Sequence, residues 1–165
     1  MLSVLCGRGQ DFCRELLEPL IRKLGAVDFV SDPLAFTETS YYDQELGPPI
    51  SRRILGFEPL FPQDDLVRVK LLTNELEHRF SRPDKTRTFN LDPGFVTLER
   101  LVLASGKNFA HRVYLGKGIW GDLTLIYQKN AWRVLPWTFR DYAGEDLQRI
   151  LTEMRKRYKE KLEAL

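Results

Sequence analysis

The apolar positions of this chain fall into short runs and helical stripes that alternate along its length. Leu2 to Cys6 is a short apolar run that ends at Gly7-Arg8-Gly9, after which Phe12, Leu16, Leu17, Leu20, Ile21 and Leu24 recur at spacings of three and four. This predicts a strand, a turn and an amphipathic helix. Pro19 lies inside the helical pattern, where it removes one backbone donor and is expected to bend the helix, and Gly25 ends it. Ala26 to Val30 is partly β-branched and predicts a second strand. Residues 31–49 lapse into a polar stretch with Asp32-Pro33, Tyr41-Tyr42 and Gly47-Pro48-Pro49, predicting a loop with at most one helical turn. Ile50 to Glu58 predicts a third strand. Proline and acids in Phe61-Pro62-Gln63-Asp64-Asp65 then suit a helix first turn, and Leu66, Val69, Leu72, Leu76 and Phe80 supply its apolar stripe. Thr86 to Leu91 predicts a fourth strand. Strand, helix, strand thus occurs twice, the outline of an α+β fold with a ferredoxin-like β-α-β-β-α-β layer.

The remainder extends that layer. Asp92-Pro93-Gly94 predicts a turn, and Val96 to Ser105 a further turn and strand. His111 to Leu115 and Ile119 to Gln128 flank Gly116-Lys117-Gly118, a strong hairpin signal, and Asn130 turns the chain again into Trp132 to Leu135. Leu147, Ile150, Leu151, Met154, Tyr158 and Leu162 line one face of a last helix, opened by Glu145 and Asp146 and closed by a basic end. Antiparallel strands and a final helix therefore follow the layer, and residues 1–165 are read as a single domain.

The hairpin permits a register. With Gly116, Lys117 and Gly118 as the loop, Leu115 faces Ile119, Tyr114 faces Trp120, Val113 faces Gly121, Arg112 faces Asp122 and His111 faces Leu123, and each pair matches in character. Arg112, Tyr114, Trp120 and Asp122 then share one face, with His111, Val113 and Leu115 on the other. On this register His111 and Arg112 cannot serve one pocket from the same face.

Composition narrows the classes. At 165 residues and 43% hydrophobic, the chain is long enough to hide roughly 70% of its unfolded surface and needs no disulfide or metal for stability. A formal charge of +2 excludes a polybasic coat protein while leaving room for a local basic groove. Cys6, Cys13, His78 and His111 have no zinc-ligand spacing, so no structural zinc is expected and no metal ligand is named; carboxylates alone can hold magnesium, but no pair of acids has diagnostic spacing, and the cofactor is left unknown. The start lacks a signal-peptide pattern and no apolar run approaches the roughly 18 residues of a membrane span, so a cytoplasmic protein with two free thiols is expected.

Candidate chemistry gathers in the second half. Ser105-Gly106-Lys107-Asn108 offers a flexible turn, a cation and an amide just before His111, a side chain that titrates near neutral pH. On an apolar face His111 also reads as a satisfied core residue. Asp92 is turn chemistry or, near an imidazole and a lysine, part of an acid-base set. Arg112 and Asp122 read as a cross-strand ion pair or, with Tyr114 and Trp120, as an aromatic platform bearing a cation. Pro136-Trp137-Thr138-Phe139-Arg140-Asp141-Tyr142 is unusually aromatic for a connection; packing accounts for Trp137 and Phe139 but not for Arg140 and Asp141. No Gly-x-x-x-x-Gly-Lys-Ser/Thr loop is present.

These residues suggest a cleft binding an anionic, phosphorylated or nucleotide-like small molecule. Lys107 with Arg112 or Lys117 would hold charge, Trp120 or Trp137 would stack, Asp141 would line the cleft, and His111 with Asp92 would move a proton. The alternatives are a non-enzymatic RNA-binding or protein-interaction module that uses the Arg112, Tyr114 and Trp120 face, and a structural subunit that oligomerises through its aromatic face.

Asn90-Leu91-Asp92-Pro93-Gly94, Leu103-Ala104-Ser105 with Lys107, His111 through Ile119, Thr124-Leu125-Ile126-Tyr127 and Leu135-Pro136-Trp137-Thr138 resemble the prokaryotic domain of unknown function 4416 family. The likeness extends to Asp32-Pro33, Tyr41-Tyr42 and Thr73-Asn74-Glu75, and so spans nearly the whole chain. Where that family carries Pro-Asp-Tyr, this sequence has Arg140-Asp141-Tyr142. The resemblance implies no established activity.

Overall fold

The structure is a computed structural model that describes residues 1–7 and 14–165, with the backbone alone at Arg14. Arg8-Gly9 of the expected first turn, Phe12 of the expected stripe, and Cys13 lie outside the described residues. The chain mixes helices with a mainly antiparallel sheet, and falls into two compact units. The first holds Met1–Phe61 and Leu71–Asp92, the second Pro62–Lys70 and Pro93–Leu165. No helix of the described residues is long and apolar enough to cross a membrane.

In the first unit β1 (Leu2–Cys6) is followed by α1 (Arg14–Leu24), β2 (Val27–Val30), β3 (Leu34–Phe36), α2 (Asp43–Leu46) and β4 (Ile50–Phe57). The unit also takes the greater part of α3 (Leu66–Arg79) and the start of β5 (Phe89–Val96). The strand order is β2-β4-β1-β5. β1 is buried at every position, as its unbroken apolar run requires of a strand with neighbours on both edges. Leu16, Leu20 and Leu24, the i, i+4, i+8 stripe of α1, are buried too, and the helix runs on through Pro19. β3 and β2 lie end to end along one edge of β4, at Ile50–Arg52 and Leu55–Phe57 respectively. Between them Ser31 closes the edge: its amide donates to the Ile54 carbonyl, and its hydroxyl accepts the Ile54 amide, both at 2.9 Å.

The expected loop over 31–49 is therefore partly built. It holds β3 and the one-turn α2, whose Leu46 joins Leu5, Phe36 and Ile50 in a core cluster capped by Tyr42. Gly7 is required there, because a Cβ on it would sit 1.9 Å from the Leu46 carbonyl oxygen.

The second unit continues from β5 into β6 (Arg100–Ser105), β7 (Arg112–Gly116), β8 (Ile119–Gln128), β9 (Ala131–Val134), α4 (Arg140–Ala143) and α5 (Glu145–Glu163). Its strand order is β5-β6-β8-β7, and β9 also pairs β8. The long helix α5 buries Leu147, Leu151 and Met154, from the N-terminal part of its predicted stripe, and takes the Trp132 indole N–H on Thr152.

Asp92-Pro93-Gly94 is not a turn but the middle of β5. Pro93, which has no N–H to give, sits just before the ladder to β6 opens at Gly94 opposite Leu103. Gly94 lets that strand approach, since a Cβ would lie 2.6 Å from the Val102 carbonyl oxygen. The hairpin register holds for Arg112 with Asp122, Val113 with Gly121 and Tyr114 with Trp120. The difference is at the tip: Gly116 pairs Ile119 and Leu115 becomes a bulge. The turn is then the two residues Lys117 and Gly118, at φ 50° and 76°, a primed geometry matching the twist of the strands. Lys129 and Asn130, at φ 50° and 60°, make the same kind of turn between β8 and β9.

Candidate functional site

The site with the most chemistry lies in the second unit and is organised by Asp122. Its side chain is 2% exposed, and Oδ2 accepts the Arg112 Nε–H at 2.8 Å and lies 3.1 Å from His111 Nε2. Thr124 Oγ1 is within 3.2 Å of the other carboxylate oxygen. Two cationic or potentially cationic groups thus converge on one buried acid, the arrangement that makes burying a charge tolerable. Arg112 is further tied down, its Nη1 donating to Ser105 Oγ and to the Lys107 carbonyl, both at 2.9 Å.

This corrects the expected separation of His111 and Arg112 onto opposite faces. β7 begins only at Arg112, and His111 belongs to the preceding turn, so strand alternation does not govern it and its ring swings onto the same carboxylate. Nor is His111 sealed among aliphatic side chains. Its ring stacks on Trp137 at 5.1 Å with the planes 8° apart, and Phe109 meets it edge-on at 5.3 Å. Phe109 is 63% exposed and Trp137 38%, while the imidazole they touch is largely covered, so two exposed rings flank a histidine anchored on a buried acid.

The place of this patch follows from the edge of β8. β7 covers that edge from Ile119 to Asp122 and β9 from Leu125 to Gln128. The gap between them falls at Leu123 and Thr124. Trp137 Nε1 donates to the Leu123 carbonyl at 2.8 Å, and Thr138 Oγ1 donates to the Thr124 carbonyl at 2.5 Å. Thr138 Oγ1 in turn accepts the Leu135 amide. The aromatic connection seals a backbone gap, and in doing so it sets Trp137 beneath His111.

The other expected site residues are placed as follows. Lys107 is exposed in the loop that carries Phe109 and His111. Tyr114 packs on Trp120 with ring centres 5.0 Å apart, and its hydroxyl accepts the Gly118 amide, beside the exposed Lys117. Asp141 accepts the Tyr142 amide within α4. Asp92 belongs to the first unit, where its Oδ2 accepts Asn90 Nδ2 at 2.6 Å. The carboxylate that reaches His111 is Asp122, which the sequence reading took only as the partner of Arg112.

The first unit carries a second polar cluster. Arg87 forks onto Glu45 through Nε and Nη2 at 2.6 and 2.7 Å, and its Nη1 reaches Asn90 at 2.7 Å and Glu77 at 3.2 Å. Glu77 also accepts the buried Leu91 amide. The paired glutamates hold the Arg87 guanidinium well above its usual range, the Glu45 hydrogen bonds first. Arg82 donates to the carbonyls of Glu45 and Leu46, closing the C-terminus of α2. Tyr42 packs between Phe36 and Tyr41, and burial, then the nearby Asp92 charge, push its phenol above the ordinary value. Glu45, Glu77 and Asp92 each take a hydrogen bond from within the same unit, so the cluster reads as the strapping of α2 rather than as a reactive centre.

One signal present in the sequence was overlooked. Between Glu99 and Asp141 there are seven Lys and Arg and a single acid, Asp122, a formal +6 in a chain whose whole charge is +2. The one acid is buried, and Arg100, Lys107, Lys117, Lys129, Arg133 and Arg140 are all exposed. Counting charge by segment would have found it.

Compared with known proteins, a family described as Domain of unknown function (DUF4416) matches residues 1–158. No curated protein and no solved structure matches.

Proposed function

This chain belongs to the DUF4416 family, and on that premise and the geometry above we propose that its second unit binds an anionic, ring-bearing small molecule of the nucleotide class. The observation that carries this is the His111–Trp137 stack, held in place by the buried Asp122 and edged by the exposed rings of Trp137 and Phe109. A planar ring adds to such a stack, and Lys107 in the same loop supplies charge for a phosphate. Arg112, expected to hold the ligand, serves instead to fix the loop and the acid.

The same geometry equips His111 for proton transfer. In the tautomer that donates Nε2–H to Asp122, Nδ1 keeps its lone pair, a base held in one orientation by that hydrogen bond. This moves the acid-base pairing from Asp92 to Asp122.

Tryptophan fluorescence and thermal shift with nucleoside monophosphates and sugar phosphates test the reading. Quenching is expected with nucleotides and weaker response with sugar phosphates. Trp137→Ala should weaken nucleotide binding by about 1–3 kcal/mol, the worth of one stacked base. Absence of any response to every nucleotide and sugar phosphate, or an affinity untouched in both Trp137→Ala and Lys107→Ala, would overturn it.

For the first unit we read the strand order β2-β4-β1-β5, with α1 and α3 in the two long connections, as a ferredoxin-like layer. Supporting this, β4 runs antiparallel to both β1 and β2.

A further inference from the structure

We propose that the nucleotide-class ligand of this surface is presented as a single-stranded nucleic acid laid along the outer edge of the second unit, with one of its nucleotides at the His111–Trp137 stack; the inference deepens the reading above and rests on it. The strand registers give the order of the relevant residues along the outer edge of β8. From one end of β8 to the other come the Lys117 turn, Tyr114 opposite Trp120, His111 with Trp137 at the gap by Leu123, Arg133 opposite Ile126, and the Lys129 turn. The ten residues of β8 make this line about 33 Å long at roughly 3.3 Å per residue. A single nucleotide would occupy only its middle.

Three features of the line suit a polyanion with bases. Within the stretch between Glu99 and Asp141 the exposed charge is of one sign, because the only acid there is buried and paired. Exposed aromatics interrupt the cations: Tyr114, 56% exposed, on one side of the gap, and Phe109 and Trp137 at it. β7 is also the last strand of its sheet path, so the aromatic edge has no neighbouring strand over it in that order. Cations that track a backbone, with rings that receive bases of any sequence, are how proteins hold single strands. An acidic protein segment would use the charges alone and would leave the rings without a role.

Fluorescence anisotropy with a labelled oligouridylate of 12 nucleotides, a labelled single uridine nucleotide and a polyglutamate competitor tests this on the full chain. The 12-mer is expected to bind at least tenfold more tightly than the mononucleotide. Three to four neutralised phosphates should give a log–log salt slope of about −2 to −3. Tyr114→Ser and Lys117→Glu, both exposed and away from the Asp122 cluster, should each weaken the 12-mer about fivefold or more, a larger loss than either causes for the mononucleotide. If the mononucleotide binds and responds to Trp137→Ala but the 12-mer gains nothing, the strand is refuted and the small-molecule reading stands. If polyglutamate displaces the 12-mer equally well and Tyr114→Ser has no effect, the surface takes an acidic protein instead. If neither nucleotide nor 12-mer binds, both readings fall.

Discussion

Replacing Asp122 by alanine is the sharpest single perturbation of the second unit. The side chains of Asp122, His111 and Arg112 are 2%, 10% and 11% exposed, so solvent screens the pair little. Removing one member of a buried pair costs about 3–5 kcal/mol, because the charge left behind is neither paired nor hydrated. Arg112 retains its bonds to Ser105 and the Lys107 carbonyl, which places the expected loss near the lower figure, about 3 kcal/mol. In a chain of this length that corresponds to a fall in Tm of roughly 6–12 °C. Urea titration should show a lower midpoint with an unchanged slope, since the surface exposed on unfolding stays the same. Adding Arg112→Met to Asp122→Ala should recover part of the loss by removing the stranded guanidinium. A loss under about 1 kcal/mol, or a double variant weaker than the single, would show that Asp122 does not organise the site.

Further consequences are equally direct. Gly7→Ala should cost about 3 kcal/mol or prevent folding, because its Cβ meets the Leu46 and Gly47 carbonyls, whereas Gly106→Ala, with open space around it, should stay within about 0.5 kcal/mol in the same urea titration. Arg87→Lys keeps the charge but cannot fork onto Glu45 while reaching Glu77 and Asn90, and is expected to lose about 2 kcal/mol; an unchanged midpoint would contradict the strapping of α2. Because burial raises the Tyr42 phenol, the native state keeps that proton where the unfolded chain loses it. Its contribution is therefore complete below the ordinary value of 10.0 and declines as pH rises above it. Tyr42→Phe should flatten the alkaline fall in stability and remove one late-ionising phenol from the absorbance titration near 295 nm.

The structure diverges from the pattern reading where an element depends on contacts remote in sequence. The hairpin was legible because its determinants are local: alternating pairs and residues tolerant of positive φ fix Arg112 against Asp122 and Tyr114 against Trp120. So was α5, whose stripe and end charges lie within one run of residues. Asp92-Pro93-Gly94 misled because its turn chemistry is equally local, yet β6 needs the missing Cβ of Gly94 to approach. His111 misled for the opposite reason. Extending the alternation one residue beyond the strand assigned its ring to the wrong side and hid its bond to Asp122. That Asp122, rather than Asp92, is the acid of the site depends on β8 carrying it in from ten residues further along the chain.

A shared construction in the two units explains why the candidate site sits where it does. In each, a long strand carries two short strands end to end on one edge: β3 and β2 on β4, β7 and β9 on β8. Every such junction leaves backbone groups that must be satisfied by something other than a ladder. On β4 the solution is economical, since Ser31 alone returns both bonds of Ile54 and leaves a small, buried side chain there. On β8 the carbonyls of Leu123 and Thr124 are met by Trp137 and Thr138 from a connection that then turns away into α4. An indole used as a donor to a strand edge has its ring outside the sheet, and the loop before β7 lies beside it, so His111 stacks there while Asp122, one residue before the gap, anchors the imidazole from within. The aromatic and acid-base features of the site are thus a consequence of how one break in hydrogen bonding was closed.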